Sequence, residues 1–230
     1  DVSELEWMWW VGKLYPLAQM VSLKSLNLSH FYELKSLDPL ASLKSLNNLV
    51  LSHCYELKSL EPVASLASLQ SLNLRRCYNL ENFEPLAYLV SLNDLDLSQC
   101  SGLSNVTFLR HLHNLYRLSL EECKNFSDNG LAELPKTLRE LILRGCSVSD
   151  IGPLASLTSL RILNLSSCQR LKDIRSLASM SSLETLDFSY CRRLKDVGSL
   201  ISLASLRTLY LRECKSLEDI WPITRLPFLQ

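Results

Sequence analysis

The sequence predicts an α/β solenoid, a stack of like units with short parallel strands along one side and 3₁₀ or short helical returns along the other. Three observations carry this prediction. Leucines recur in a frame that repeats nine times. All eight cysteines fall on one position of that frame. Acid–proline pairs mark another position, at Asp38-Pro39, Glu61-Pro62 and Glu84-Pro85.

The frame is set by an anchor residue: Leu28, Leu51, Leu74, Leu97, Leu120, Leu143, Leu165, Phe188 and Leu211. Successive anchors lie 23 residues apart, except for 22 between Leu143 and Leu165. Leu stands two and five residues before every anchor. Three residues after them stand Phe31, Cys54, Cys77, Cys100, Cys123, Cys146, Cys168, Cys191 and Cys214. The unit reads L-x-x-L-x-L-x-x-C-x-x-L-x-x-L-x-P-L-x-x-L-x-x, as in residues 46–68 with Val63 at the leucine after the proline.

Leu-x-Leu alternates with period two, which makes a short strand with its leucines facing inward. The later leucines recur every three residues, the period of a 3₁₀-like return. An acidic N-cap with Pro at the first helical position is the expected start of that return. No unit can bury its leucines alone. Stacked units pair strand to strand and share one core, through right-handed connections.

The motif Leu69-x-x-Leu72-x-Leu74-x-x-Cys77 resembles the leucine-rich-repeat family, over essentially the whole chain. The segment Val148-Ser149-Asp150-Ile151-Gly152-Pro153-Leu154 resembles the short internalin-type repeat. The cysteines and Phe126-Ser127-Asp128-Asn129-Gly130-Leu131 are similar to the cysteine-containing type found in substrate adaptors. The resemblance implies a right-handed horseshoe or arc, with a parallel sheet on its concave face and the returns on its convex face. It also implies a protein–protein interaction scaffold that binds a partner through the concave face, within a larger assembly. The alternatives are a regulatory or targeting subunit that covers an enzyme's surface, or the substrate receptor of a ubiquitin ligase.

Residues 1–230 are expected to form a single domain, with nine repeats over 23–228 and a degenerate first repeat over 1–20. Tyr15-Pro16-Leu17-Ala18-Gln19-Met20 aligns with Asp38–Leu43, which puts Leu5 at the anchor and Met8 at the cysteine position. Leu229 opens a tenth unit. Neither end shows a polar cap over its last core layer, so a piece of a longer array is expected. Trp7, Trp9 and Trp10 are the candidates for a makeshift cap. In the fifth repeat Asn129 stands where the core wants Leu, and the apolar phase moves to Leu131 and Leu134. Asp128-Asn129-Gly130 then reads as a turn opening a longer helix that ends near Pro135. The sixth repeat loses one residue after Cys146. Both are expected to be drift in a tolerant loop.

The balance of 24 basic and 24 acidic side chains gives no general pull toward nucleic acid or an acidic membrane. Apolar runs fall far short of the ~20 residues that span a bilayer, and residues 1–20 lack the pattern of a signal peptide. No Cys-x-x-Cys pair occurs. The cysteines are expected as a ladder of reduced, buried thiols, each a small hydrophobe donating weakly to the backbone. Such thiols suit a reducing compartment, so an intracellular, cytoplasmic protein is expected. His30 and His53 share one position in adjacent repeats without a third ligand, and solvated histidines are expected rather than a metal site. His111 and His113 are expected to be exposed. Asn27, Asn105, Asn125 and Asn164 head glycosylation sequons, a pattern that frequent Ser makes by chance. No phosphate-binding, nucleophile-elbow or zinc-protease motif is present. No catalytic residues, cofactor or small-molecule substrate are therefore expected.

Core leucines are fixed by packing, so the variable strand positions are the ones free to encode a partner. The column after the anchors holds Ser29, Ser52, Arg75, Ser98, Glu121, Arg144, Ser166, Ser189 and Arg212. The column before them holds Asn27, Val50, Asn73, Asp96, Ser119, Ile142, Asn164, Asp187 and Tyr210. Most of these are ordinary solvated residues. Ile142 and Ile162 are apolar where a strand should meet water. Arg117, Glu121, Arg144, Tyr190, Tyr210 and Arg212 lie near them, and aromatic, aliphatic and Arg side chains are what interface hot spots use. These eight residues are the candidate site for a protein partner. Charges of both signs close together speak against a nucleic-acid backbone.

Overall fold

The computed structural model describes residues 14–229, so Leu5, Met8 and the tryptophans at 7, 9 and 10 lie outside the described residues. The chain divides into two compact units, one through Leu115 and one from Tyr116. In the first, strands β1 (Ser25–Asn27), β2 (Asn48–Val50), β3 (Ser71–Asn73) and β4 (Asp94–Asp96) pair in parallel, each with the next. In the second, β5 (Arg117–Ser119), β6 (Glu140–Ile142), β7 (Ile162–Asn164), β8 (Thr185–Asp187) and β9 (Thr208–Tyr210) do the same. The central leucines are in register, Leu26 opposite Leu49 and Leu141 opposite Leu163. Register survives the 22-residue spacing, so the return path absorbs the deletion.

Each strand is short, but its ladder runs on past the anchor. Leu28 N–H donates to Val50 O at 2.8 Å, and His30 N–H donates to Ser52 O at 2.8 Å. The residue two after the anchor must then turn sharply, and it adopts a left-handed conformation. His30, His53, Arg76, Gln99, Glu122, Ser167, Tyr190 and Glu213 all have φ between 55° and 65° there. Only the sixth repeat uses glycine, Gly145, at φ 69°. A left-handed residue with a Cβ costs about 1–2 kcal/mol, and at His30, His53, Arg76, Glu122, Ser167 and Tyr190 the bond its N–H donates to the next repeat offsets it.

The returns are 3₁₀ turns of five residues, such as Asp38–Ser42 and Glu61–Ser65. Asp128–Glu133 has six, the lengthened return expected there, with Leu131 and Leu134 buried in place of Asn129. The expected acidic N-caps are corrected. Asp38, Glu61 and Glu84 are the first residues of their turns, and the residues before them, Leu37, Leu60 and Phe83, are buried in the core. An apolar residue cannot cap, so the polar group sits one position earlier. Ser36 Oγ accepts Asp38 N–H at 3.1 Å, and Asn82 Oδ1 accepts Glu84 N–H at 3.0 Å. In the second unit Asp150, Asp173, Asp196 and Asp219 accept the backbone N–H two residues on.

The eight thiols are free. Within each unit, the Sγ–H groups of Cys54, Cys77, Cys100, Cys146, Cys168, Cys191 and Cys214 donate to the anchor carbonyl one repeat earlier. Cys54 bonds Leu28 O at 3.3 Å, Cys100 bonds Leu74 O at 3.1 Å and Cys191 bonds Leu165 O at 3.1 Å. Burial pushes Cys54, Cys77 and Cys168 up to about 12. Seven thiols are buried and Cys214 is only half-buried, because no further repeat packs over it among the described residues. No helix of the described residues is long and apolar enough to cross a membrane.

Candidate protein-binding face

The inward leucines of β5–β9 turn the alternate residues of each strand to the outer face, as period two requires. Of the eight candidate residues, Arg117, Ile142, Ile162 and Tyr210 lie within strands, while Glu121, Arg144 and Arg212 follow the anchors. Tyr190 lies in the left-handed turn position rather than in a strand. Ile162 is 36% exposed and Tyr210 is 52% exposed. Ile142 is half-buried. The two isoleucines are on adjacent strands but not opposite one another, since Ile162 faces Glu140 and Ile142 faces Asn164. They form a diagonal apolar pair.

The charged candidates pair among themselves and with their neighbours. Arg117 Nε lies 3.1 Å from Glu140 Oε1, and Arg144 lies 3.4 Å from Glu121 Oε1. Arg161 and Glu184 make a third cross-strand pair at 3.5 Å. The Arg212 guanidinium stands 5.7 Å from the centre of the Tyr190 ring, a cation–π distance.

The polar column around the anchors is less free than it looked in the sequence. Asn27, Asn73, Asp96, Asn164 and Asp187 each use Oδ1 to accept the backbone N–H two residues on. Ser166 Oγ also donates to Asn164 Oδ1 at 2.6 Å. Ser98, Ser119, Ser166 and Ser189 are buried, not solvated. The sequon-like spacing at Asn27 and Asn164 is therefore the spacing of a local side-chain cap. Asn105 caps Thr107 N–H in the same way on a return path.

Sequence reasoning passed over the column four residues before the anchors. In the second unit it reads Tyr116, Arg139, Arg161, Glu184 and Arg207. Tyr116 is 45% exposed, and all three arginines are exposed. In the first unit the same column is Lys24, Asn47, Gln70 and Asn93. Reading this column beside the two around the anchors would have found it.

The first unit carries a different feature, a column of stacked rings past the strand ends. His30 and His53 stack at 4.3 Å with 16° between their planes. Tyr32, Tyr55 and Tyr78 stack at 5.1 and 5.2 Å. The two histidines are thus not simply solvated, and His53 is half-buried. Arg76 donates to His53 Nε2 at 3.1 Å. Guanidinium only donates, so His53 must be neutral with its proton on Nδ1. That nitrogen is buried without a partner. Burial, His30, Arg76 and Arg75 together hold the His53 pKa below its ordinary value of 6.5. No group of three or more His, Cys, Asp or Glu among the described residues could hold a metal ion. On the returns, a hollow of about 550 Å³ is lined by Glu61, Glu84, Pro85, Ala87, Tyr88 and His111. A second, of about 570 Å³, is lined by Ser149, Asp150, Asp173, Arg175 and Ser176.

No curated protein matches the chain. Residues 19–127 match a model of BspA-type leucine-rich-repeat regions, and residues 136–179 match a model of paired leucine-rich repeats. Among solved structures, the chain is similar to an internalin, InlF, of Listeria monocytogenes, with 21% identity over 95% of this chain and 76% of that one, at a TM-score of 0.58. It is similar to internalin C2 of the same organism, with 24% identity over 92% and 81%, at 0.57. The leucine-rich-repeat domain of the type III effector XopL gives a TM-score of 0.70, with 21% identity over 92% and 77%. With repeat, strand register and both family models in agreement, the chain belongs to the leucine-rich-repeat family, with cysteine-containing repeats of 23 residues.

Proposed function

We propose that this protein is an interaction scaffold whose strand face, across the fifth to ninth repeats, takes up a partner protein. The supporting observation is the exposure of Ile162 and Tyr210 on this face, with Tyr116 also exposed and Ile142 half-buried. Arg117, Glu121, Ile142, Arg144, Tyr190 and Arg212 lie on the same face, where ion pairs link Arg117 to Glu140 and Arg144 to Glu121. Such a mixture of aromatic, aliphatic and arginine groups is what hot spots are made from. The function is binding, and no chemistry is assigned to the chain. The free, buried thiols suit a reducing compartment, and we place the protein inside the cell.

The test is the double variant Ile162→Asp, Tyr210→Ala, checked for folding by circular dichroism. Affinity is then measured for a partner captured by a photo-crosslinker placed at Thr185, on the strand between them. Both side chains belong to the docking face, so a loss of about 2 kcal/mol or more is expected. Unchanged affinity would remove this face as the docking site.

A further inference from the structure

The strand face of the second unit carries more positive charge than it neutralises. Arg117, Arg144 and Arg161 each have a carboxylate partner, in Glu140, Glu121 and Glu184. Asp187 uses Oδ1 on Ser189 N–H. Among the described residues Arg139 and Arg207 make no ion pair or side-chain hydrogen bond, and Arg212 has Tyr190 as its ring partner. Arg139, Arg207 and Arg212 are all exposed. Glu184 stands in the same column, one repeat from Arg207, but its carboxylate pairs with Arg161. Farther upstream of β6–β9, the positions Lys136-Thr137, Thr158-Ser159, Ser181-Ser182 and Ala204-Ser205 hold no carboxylate.

We infer that this face selects an acidic protein segment bearing an apolar or aromatic residue between its carboxylates. The inference rests on the strand-face docking proposed above and adds the partner's chemistry to it. Arg139 and Arg207 stand in the same column three strands apart, which at ~4.8 Å per strand is about 14 Å. An extended chain covers that distance in about four residues. Two carboxylates four positions apart can therefore reach both guanidinium groups, each a strong fork for a carboxylate. The residues between them pass the closed Arg161–Glu184 pair and the exposed Ile162 beside Arg161, with the exposed Tyr210 farther along the strand of Arg207. A phosphodiester backbone fits less well. Its unbroken charge would have to pass Glu140, Glu184 and Asp187 on the same face.

The probe is a short fluorescent peptide with two glutamates four positions apart and leucine and tyrosine between them. Its controls are the same peptide with glutamine or lysine for glutamate, and a labelled oligothymidine. Binding is measured by fluorescence polarisation at low and physiological salt. The glutamate peptide is expected to bind at least about tenfold more tightly than the glutamine peptide. Arg139→Gln with Arg207→Gln should erase that difference and most of the salt dependence, with circular dichroism unchanged. No binding of the glutamate peptide, equal binding of the glutamate and lysine peptides, or tighter binding of oligothymidine would each overturn the inference. So would a glutamate preference that survives the double Arg variant. If a captured partner loses affinity in Ile162→Asp, Tyr210→Ala but keeps it in the Arg variant, strand-face docking stands and the acidic class falls.

Discussion

At the scale of single residues, stacking one repeat on the next leaves narrow allowances. Gly102 shows this most sharply, because a Cβ built there would lie 2.0 Å from Leu80 O. That oxygen is backbone and cannot swing aside. Gly102→Ala should therefore cost ~2–4 kcal/mol, as other strained core substitutions do, read as a lower midpoint in urea. An unchanged midpoint would mean that the loop after Cys100 moves freely. His53 sets a second, pH-dependent allowance. Its imidazole is neutral in the fold, wedged against His30 with Arg76 donating to Nε2. Its pKa is lowered, so below about 6.5 the unfolded chain binds a proton that the folded chain refuses. The stability linked to His53 is present above 6.5 and is lost as pH falls through the lowered folded value. His53→Asn keeps a side chain that tolerates the left-handed turn and removes the titration. Between pH 7 and pH 5 its unfolding free energy should fall less steeply than that of the parent protein. Parallel slopes would show that His53 does not carry the dependence.

At the scale of elements, the strands and the returns differ in how far the sequence announces them. The Leu-x-Leu strands and their 23-residue register are visible in the sequence because every inward position is apolar and the spacing is nearly invariant. The 3₁₀ returns follow from leucines three apart. Their caps do not, since an acid before proline looks like a cap until the buried Leu37 and Leu60 occupy the cap position. The Asn and Ser columns were also illegible, because an Asn that holds a backbone N–H and an Asn that faces water are the same letter. The site was legible in part for the same reason. Ile162 and Tyr210 stand out against a polar column, whereas Arg139 and Arg207 become notable only once the carboxylates that neutralise their neighbours are located. The irregular fifth repeat now has a structural account. Asp128 accepts Ser149 N–H at 2.6 Å and Ser149 Oγ–H at 2.7 Å, tying its lengthened return to the sixth repeat. Partial burial works against the Asp128 charge, but these bonds outweigh it and lower its pKa. Asp128→Ala should destabilise the protein by about 1 kcal/mol, a charge-assisted bond discounted for solvent. Hydrogen exchange should quicken at Ser149 and Asp150 before it quickens at β5 or β6. Uniform quickening would mean that Asp128 does more than tie the two returns.

At the scale of the whole molecule, stability in a stacked array comes from layers and from the interfaces between layers. Interior layers are closed, and Leu186, Phe188, Cys191, Leu194, Val197 and Leu200 are all fully buried. In the last described layer the equivalents Leu209, Leu211, Cys214, Leu217 and Ile223 are only half-buried, and Ile220 is 55% exposed. Its strand β9 offers an unpaired edge among the described residues. Both deficits are of the kind that one more repeat would remove, by covering the leucines and pairing the edge. Fusing a copy of residues 46–68 in frame after Phe228 should therefore raise the melting temperature. Completing the burial of four or five half-covered aliphatic side chains is worth ~3–4 kcal/mol. In a chain of this size each ~1 kcal/mol moves the midpoint by about 2–4 °C. A gain of at least ~5 °C is expected after the entropy of ordering the added repeat is met. The matched control carries the same repeat with the leucines at its strand positions changed to serine, which adds length without a core layer. Equal melting temperatures for the two fusions would show that the half-buried layer around Leu209 and Leu211 does not limit stability.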